Sequence, residues 1–190
     1  ALRADGWYLR ADVIWHKPNP MTESVKDRPT RSHEYVFLLS KSRRYQYDRI
    51  AVLEPFSTDP KENYPKRAKV PGRGSQGAAA VRGNDRNKSG GFPPGAEGRN
   101  RRSVWTVTTR PYRGAHFATY PPKLIEPCVK AGSRPGDIVL DPFLGSGTTA
   151  AVAISLGRQW IGCELNPEYK ALQEKRIAEA IATRSAVSAP

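Results

Sequence analysis

The chain has 190 residues, 38% of them hydrophobic, and 31 Lys plus Arg against 18 Asp plus Glu, for a formal net charge of +13. That length fits one domain with a sizeable core, or one domain carrying a long insertion, and the positive excess favours a polyanionic partner (nucleic acid, or an anionic membrane surface as the competing reading) over an acidic small molecule. No apolar run approaches the roughly 18 residues a membrane span requires, no secretory leader pattern occurs, and the 2 cysteines, Cys128 and Cys163, form no C-x-x-C pair, which argues against a disulfide framework or zinc site and fits a reducing, cytoplasmic setting.

Residues 7–15 (WYLRADVIW) are rich in β-formers and stop at Lys17-Pro18-Asn19-Pro20, where two prolines block continuation, so they predict a strand ending in a rigid loop. After a polar loop, residues 34–39 (EYVFLL) form a nearly continuous apolar run, as expected of a strand covered on both faces and paired with the first. From about residue 55 to 98, Gly, Pro, Arg, Lys and Asn dominate and apolar residues thin out to Ala78-Ala79-Ala80-Val81. This stretch is a poor core-builder. It reads either as a solvated linker or as a mobile arm whose cations track phosphates, each contact releasing a condensed counterion.

Order resumes at residues 103–107 (SVWTV), a further strand. Residues 121–132 predict a helix, with Pro122 in the first turn, Gly132 as C-terminal cap and Pro127 as a kink or a tolerated early proline. Residues 137–141 (DIVLD) read as a buried strand, 148–156 as a helix ended by Gly157, 159–164 as a strand and 167–181 as an amphipathic helix, with a frayed tail after Thr183. Strand, helix, strand, helix implies parallel pairing with a right-handed crossover.

Between the strand at 137–141 and the helix at 148 lies the turn DPFLGSGTT, residues 141–149. Gly145, Gly147 and Ala150 satisfy G-x-G-x-x-A, and Glu164 falls where an acidic residue would meet a ribose diol. The pattern alone serves several cofactors. Asp141 discriminates among them. A carboxylate at the strand end repels a pyrophosphate and favours a cationic ligand, which tilts the reading from a dinucleotide to S-adenosylmethionine, a sulfonium compound carrying a ribose.

These residues carry a resemblance. The turn at 141–149, followed by Gly162-Cys163-Glu164-Leu165-Asn166-Pro167, resembles the S-adenosylmethionine-binding core of bacterial and phage DNA methyltransferases that modify adenine N6 or cytosine N4. His116-Phe117-Ala118-Thr119-Tyr120-Pro121 is similar to the segment that in this family leads into the first core helix and closes over the methionine end. Trp15-His16-Lys17-Pro18-Asn19-Pro20 and Ser32-His33-Glu34-Tyr35-Val36-Phe37 resemble stretches flanking the target-base pocket. The motif order is that of the beta class, with cofactor segments C-terminal to the catalytic half.

The resemblance implies an α/β, Rossmann-like fold with a mostly parallel sheet, helices on both faces and a basic insertion. It implies cofactor contacts from Asp141, Phe143, Gly145, Gly147, Thr148, Thr149, Glu164 and Asn166, and from His116, Phe117, Ala118 and Thr119. Lys17, His33, Arg99, Arg101 and Arg102 are the candidate DNA contacts. The implied organisation is 1–54 as part of the target-base half, 55–113 as a basic target-recognition segment, 114–182 as the cofactor half and 183–190 as a flexible tail. Expected partners are S-adenosylmethionine and double-stranded DNA, with a restriction enzyme and a second copy of the chain as further candidates.

One feature departs from the family. Its catalytic loop, Asp/Asn/Ser-Pro-Pro followed by an aromatic residue, is not found; Tyr120-Pro121-Pro122-Lys123 and Phe92-Pro93-Pro94-Gly95 lack its flanking groups and read as decoys. The expectation is an N-terminally truncated piece, inactive alone, with no catalytic residue of its own.

Local alternatives stay open. Thr148 and Thr149 could cap a helix, Phe143, Trp15 and Trp105 could be core, and His33 could hydrogen-bond Glu34. Two other classes compete with the methyltransferase reading: a nucleotide-dependent oxidoreductase, and a non-catalytic nucleic-acid-binding module on a degenerate methyltransferase fold. RNA is a possible substrate variant.

Overall fold

The computed structural model describes residues 2–55, 98–109 and 119–188. The chain divides into two compact units, Ala1–Val52 with Arg102–Pro190, and Leu53–Arg101. Five strands and three helices of the first unit position the site. β1 (Tyr8–His16) lies between β2 (His33–Ser40) and β3 (Val104–Thr106), antiparallel to β2 and parallel to β3. Pro18 and Pro20 end β1 as expected, and the loop that follows is closed by the Lys17 amide on the Ser32 carbonyl. The side-chain amide of Asn19 then donates to the Thr109 carbonyl and accepts from the Thr109 amide, which ties that loop to the chain leaving β3.

β2 differs from the expectation of a strand covered on both faces. Tyr35 and Phe37, stacked at 6.0 Å, are 55% and 56% exposed. As an edge strand with β1 on one side, β2 buries Val36 toward the core and leaves the alternate positions bare. Trp15, Val107 and Leu124 form that core, with Val36, Trp105 and Tyr120 packed against it. Trp15 is thus core, and its indole N–H is satisfied by the Val107 carbonyl at 2.8 Å.

Leu124 belongs to α1 (Pro122–Gly132), which joins the three-stranded sheet to the rest of the unit. Pro122 occupies the helix start, where a missing N–H costs nothing, and Pro127 is accommodated inside the helix as a buried residue. The cap is not Gly132. Ser133 ends the helix, its amide and hydroxyl both donating to the Val129 carbonyl, and Arg158 donates in turn to the Ser133 carbonyl at 2.8 Å.

β4 (Ile138–Asp141), α2 (Thr148–Ser155) and β5 (Gln159–Gly162) form a strand-helix-strand unit with the two strands parallel. α2 is small-residue rich, and Ala150 and Ala153 are fully buried. β4 is covered on one face only: Val139 and Asp141 turn toward α2, while Ile138 and Leu140 are 58% and 63% exposed, as is Ile161 beside them at 53%. The expected fully buried strand is therefore half-covered, because among the described residues α2 packs against just one side of the pair.

A 3-10 turn at Pro167–Tyr169 leads into α3 (Lys170–Ser188). The expected tail from residue 183 is helical as far as Ser188. Thr183 donates to the Glu179 carbonyl, and Arg184 reaches back to the Ile154 carbonyl at the end of α2, so the last turns are anchored to the fold. In the second unit, Glu54 and Arg99 exchange both backbone hydrogen bonds, and their side chains pair at 3.6 Å.

Candidate functional site

The C-terminal ends of β4 and β5 and the start of α2 converge on residues 141–149. Gly145 and Gly147 sit at φ +54° and +83°, the left-handed region where a side chain is strained, and Gly147 is the residue from which α2 departs. A Cβ at Gly145 would meet only the Phe143 carbonyl, at 3.9 Å, so the backbone there stands open to a ligand. Gly162 is small for a different reason: a Cβ would fall 2.6 Å from Leu144, whose amide donates to the Cys163 carbonyl and closes the turn onto β5.

Asp141 is oriented by three donors. Its Oδ1 accepts the Phe143 amide at 3.0 Å, and its Oδ2 accepts the Thr149 hydroxyl at 2.5 Å and lies 3.1 Å from the Tyr120 hydroxyl. Tyr120 and Thr149 are themselves 2.6 Å apart. The single Thr149 proton goes to Asp141, so the phenol donates to Thr149 and, more weakly, to Asp141. Burial raises the Tyr120 phenol above its ordinary value, with the Asp141 charge adding to the effect and the Thr149 hydrogen bond opposing it. The phenol is thus a durable donor. A cleft of about 410 Å³ opens beside this triad, lined by Ile125, Cys128 and Val129 of α1 and by Leu140.

Glu164, two residues beyond β5, accepts the Asn166 amide on Oε1 at 2.8 Å and the Gly145 amide on Oε2 at 2.7 Å. These backbone donors hold its carboxyl below the ordinary glutamate value. Each oxygen keeps a second lone pair, which is what two neighbouring hydroxyls of a ribose require. Asn166 contributes through its backbone, because its side chain accepts from the Glu168 amide and caps the 3-10 turn.

Other expected site residues are sorted by the same geometry. Phe143 is not core, being 85% exposed at the rim of the turn. Neither threonine caps α2: Gly147 holds that position, the Thr149 hydroxyl serves Asp141, and Thr148 is buried with its hydroxyl accepting from Arg176. Thr119 is half-buried one residue before Tyr120, and His116, Phe117 and Ala118 lie outside the described residues. Lys17 pairs with Glu34 and stands 4.4 Å over the Trp15 ring. His33 packs edge-on against Tyr35 at 5.3 Å. Arg99 is engaged by Glu54, Arg101 is half-buried, and Arg102 is exposed.

Sequence reasoning misses three residues. Tyr120 reads as the flank of a decoy double proline and as part of the segment before the first core helix, and Gln173 and Arg176 as members of an amphipathic helix. Gln173 Nε2 donates to the Gly145 carbonyl at 2.7 Å, and Arg176 donates to Ser146 Oγ at 2.8 Å as well as to Thr148. Their spacing of three on α3 is the available signal, but its target is not visible along the chain.

The donor set is one of paired carboxylates around a bare backbone. Glu164 suits the ribose of either cofactor, but Asp141 would face the phosphates of a dinucleotide, whereas a sulfonium compound meets a negative charge there, so the residues present fit S-adenosylmethionine.

Known proteins resemble this chain in sequence and in fold. A family model described as DNA methylase matches residues 1–175. The Type II methyltransferase M.Cfr9I of Citrobacter freundii is 48% identical over 177 residues, a match covering 93% of this chain and 47% of the relative. M.SmaI of Serratia marcescens is 47% identical, with 93% and 49% covered. The chain thus spans about half the length of the curated relatives it matches. Among solved structures, the cytosine-N4-specific PvuII DNA methyltransferase superposes with a TM-score of 0.60 at 21% identity, covering 94% of this chain and 58% of the other. A complex of M1.HpyAVI with S-adenosylmethionine gives 0.57 at 20%, covering 92% and 65%. These likenesses establish the Rossmann-like methyltransferase fold.

Proposed function

The chain belongs to the DNA methylase family of N6 and N4 methyltransferases, and from that membership we propose that the protein transfers a methyl group from S-adenosylmethionine to the exocyclic amine of adenine or cytosine in double-stranded DNA. The observation that carries the reading is the Asp141 carboxylate, oriented by Thr149, Tyr120 and the Phe143 amide beside an open glycine turn that Glu164 closes. When bound, the cofactor supplies an electrophilic methyl group. The chain's own residues bind and orient it. Asp141 presents negative charge to the cationic end, Glu164 accepts from the ribose, and Gly145 leaves room for close approach. Phe143 offers an exposed ring at the rim. A duplex base must leave its stack to bring its amine to such a crevice, which is the cost that base flipping meets.

Residues 114–182 form the cofactor half in this reading, 1–54 flank the base pocket, and 55–113 contribute to target recognition. Lys17 and His33 would lie near DNA, and for Lys17 a phosphate must then compete with Glu34 for its ammonium. No described helix is long and apolar enough to cross a membrane. The cytoplasm, where duplex DNA would be met, is the proposed location. A restriction endonuclease sharing its recognition sequence, and a second copy of the chain, complete the proposed partners.

The test is calorimetry on the full-length protein with S-adenosylmethionine and with NAD, followed by transfer of labelled methyl to duplex DNA and identification of the modified nucleoside. Binding of the sulfonium compound alone, and label recovered on N6-methyladenine or N4-methylcytosine, is the expected result. Preferential binding of NAD, or salt-dependent DNA binding without any label transfer, overturns the proposal.

A further inference from the structure

The half-buried stripe of α3 consists of Leu172, Gln173, Arg176, Ile177 and Ala180, and two of these five are polar. Burying polar side chains costs free energy unless they find partners. Both find them on the same target: Gln173 on the Gly145 carbonyl, Arg176 on the hydroxyls of Ser146 and Thr148. Between these contacts lies Gly147, and a Cβ built there would be 3.5 Å from the Gln173 Cα, so the helix backbone lies flat against the turn.

The turn itself is intrinsically loose. Two of its residues are glycines, the type with the most backbone freedom to lose, and both adopt left-handed conformations. On its ligand side the turn is held up to Gly145, by the Phe143 amide on Asp141, the Leu144 amide on the Cys163 carbonyl and the Gly145 amide on Glu164 at 2.7 Å, and Glu164 must also serve the ribose. The residues from the Gly145 carbonyl to Thr148 are held from behind, by α3.

We infer that Arg176 and Gln173 are the positioning residues of the cofactor turn, holding its backbone from the α3 side so that Gly145 and Glu164 keep the spacing the ligand requires. The inference rests on the cofactor assignment above. Both contacts are made by Nη1, whose two protons lie in the fixed plane of the guanidinium, whereas the three protons of a lysine ammonium sit at the end of a flexible stem that holds them less firmly in place.

The test uses the full-length protein with Arg176→Met, Arg176→Lys and Gln173→Leu. Amide exchange at Gly145 and Gly147 reports the turn, and exchange at Gly136, bonded to the Gly157 carbonyl, serves as the reference. In Arg176→Met the turn amides should exchange at least roughly tenfold faster, and the Kd for S-adenosylmethionine rise by at least roughly tenfold, since two charge-assisted hydrogen bonds are removed. The Gly136 reference should not move, the loss should fall on KM for the cofactor more than on kcat, and Arg176→Lys should recover part of it. Unchanged turn exchange and unchanged affinity in folded Arg176→Met overturn the inference. If that variant does not fold, Gln173→Leu and Ser146→Ala each remove a single hydrogen bond, and the absence of any change in both overturns it equally. A wild-type protein that binds no S-adenosylmethionine, while Arg176→Met still loosens the turn, refutes the functional reading and supports the positioning role.

Discussion

At Asp141 one carboxylate meets three donors from three parts of the chain: Phe143 in the turn, Thr149 in α2, and Tyr120 ahead of α1. Replacing it by Ala in Asp141→Ala removes the negative charge facing the ligand while leaving the apolar packing of the turn in place. We expect the fold to persist in circular dichroism and the S-adenosylmethionine affinity to fall by at least about tenfold, the scale of a hydrogen bond to a charged group; unchanged affinity would misplace the ligand. Tyr120→Phe removes the phenol that backs Thr149 and should cost about 0.5–1.5 kcal/mol of stability. The pH dependence has a definite sign. Because the folded-state Tyr120 value is raised, its contribution is fully present below the ordinary phenol value and is lost as pH rises through the raised one. Alkaline melts of the wild type should therefore converge on those of Tyr120→Phe. Glu164 behaves oppositely. Its value is lowered, so its contribution is present above the ordinary glutamate value and disappears only as pH falls through the lowered one. Cofactor affinity followed by calorimetry should accordingly not decline, on account of this group, until the pH drops below the usual glutamate range.

Among the elements, α2 has the least room. Its Ala150 and Ala153 are fully buried, and it is packed by β4, β5, α1 and α3. Ala153→Leu inserts three carbons where no space exists and should destabilise by about 1–3 kcal/mol in urea unfolding; a smaller effect would mean that α3 can shift outward. The helix spans were largely legible because periodicity and punctuation are local: Pro122 starts α1, Gly147 precedes α2, Gly157 follows it, and Asn166-Pro167 introduces the segment before α3. The errors at this scale share one feature. Ser133 rather than Gly132 caps α1, where Arg158 reaches back to the Ser133 carbonyl, and α3 runs on past Thr183, where Arg184 is anchored on the Ile154 carbonyl of α2. Likewise, an apolar run such as EYVFLL or DIVLD states what a strand could bury, while what it does bury depends on which faces receive a neighbour.

For the molecule as a whole, the net charge of +13 is a statement about partners before it is one about packing. If Arg99, Arg101 and Arg102 touch phosphates, replacing all three by Ala should flatten the plot of log affinity for DNA against log salt by up to about 0.9 for each phosphate no longer neutralised. A filter-binding slope that does not change would assign them to packing, a role for which the Arg99–Glu54 pair already gives precedent. The sequence by itself determined the family, the order of the elements, the glycine turn and the two carboxylates that bracket it, because each of these is written in residues adjacent along the chain. Only the tertiary structure decided that Thr148 turns toward α3, that Tyr120 completes the Asp141 triad, and that Gln173 and Arg176 brace the turn from 28 and 30 positions away. The physical reason is range: turn geometry and periodicity are set by neighbours in the chain, whereas a polar side chain on a helix acquires its partner only when packing brings a distant segment to it.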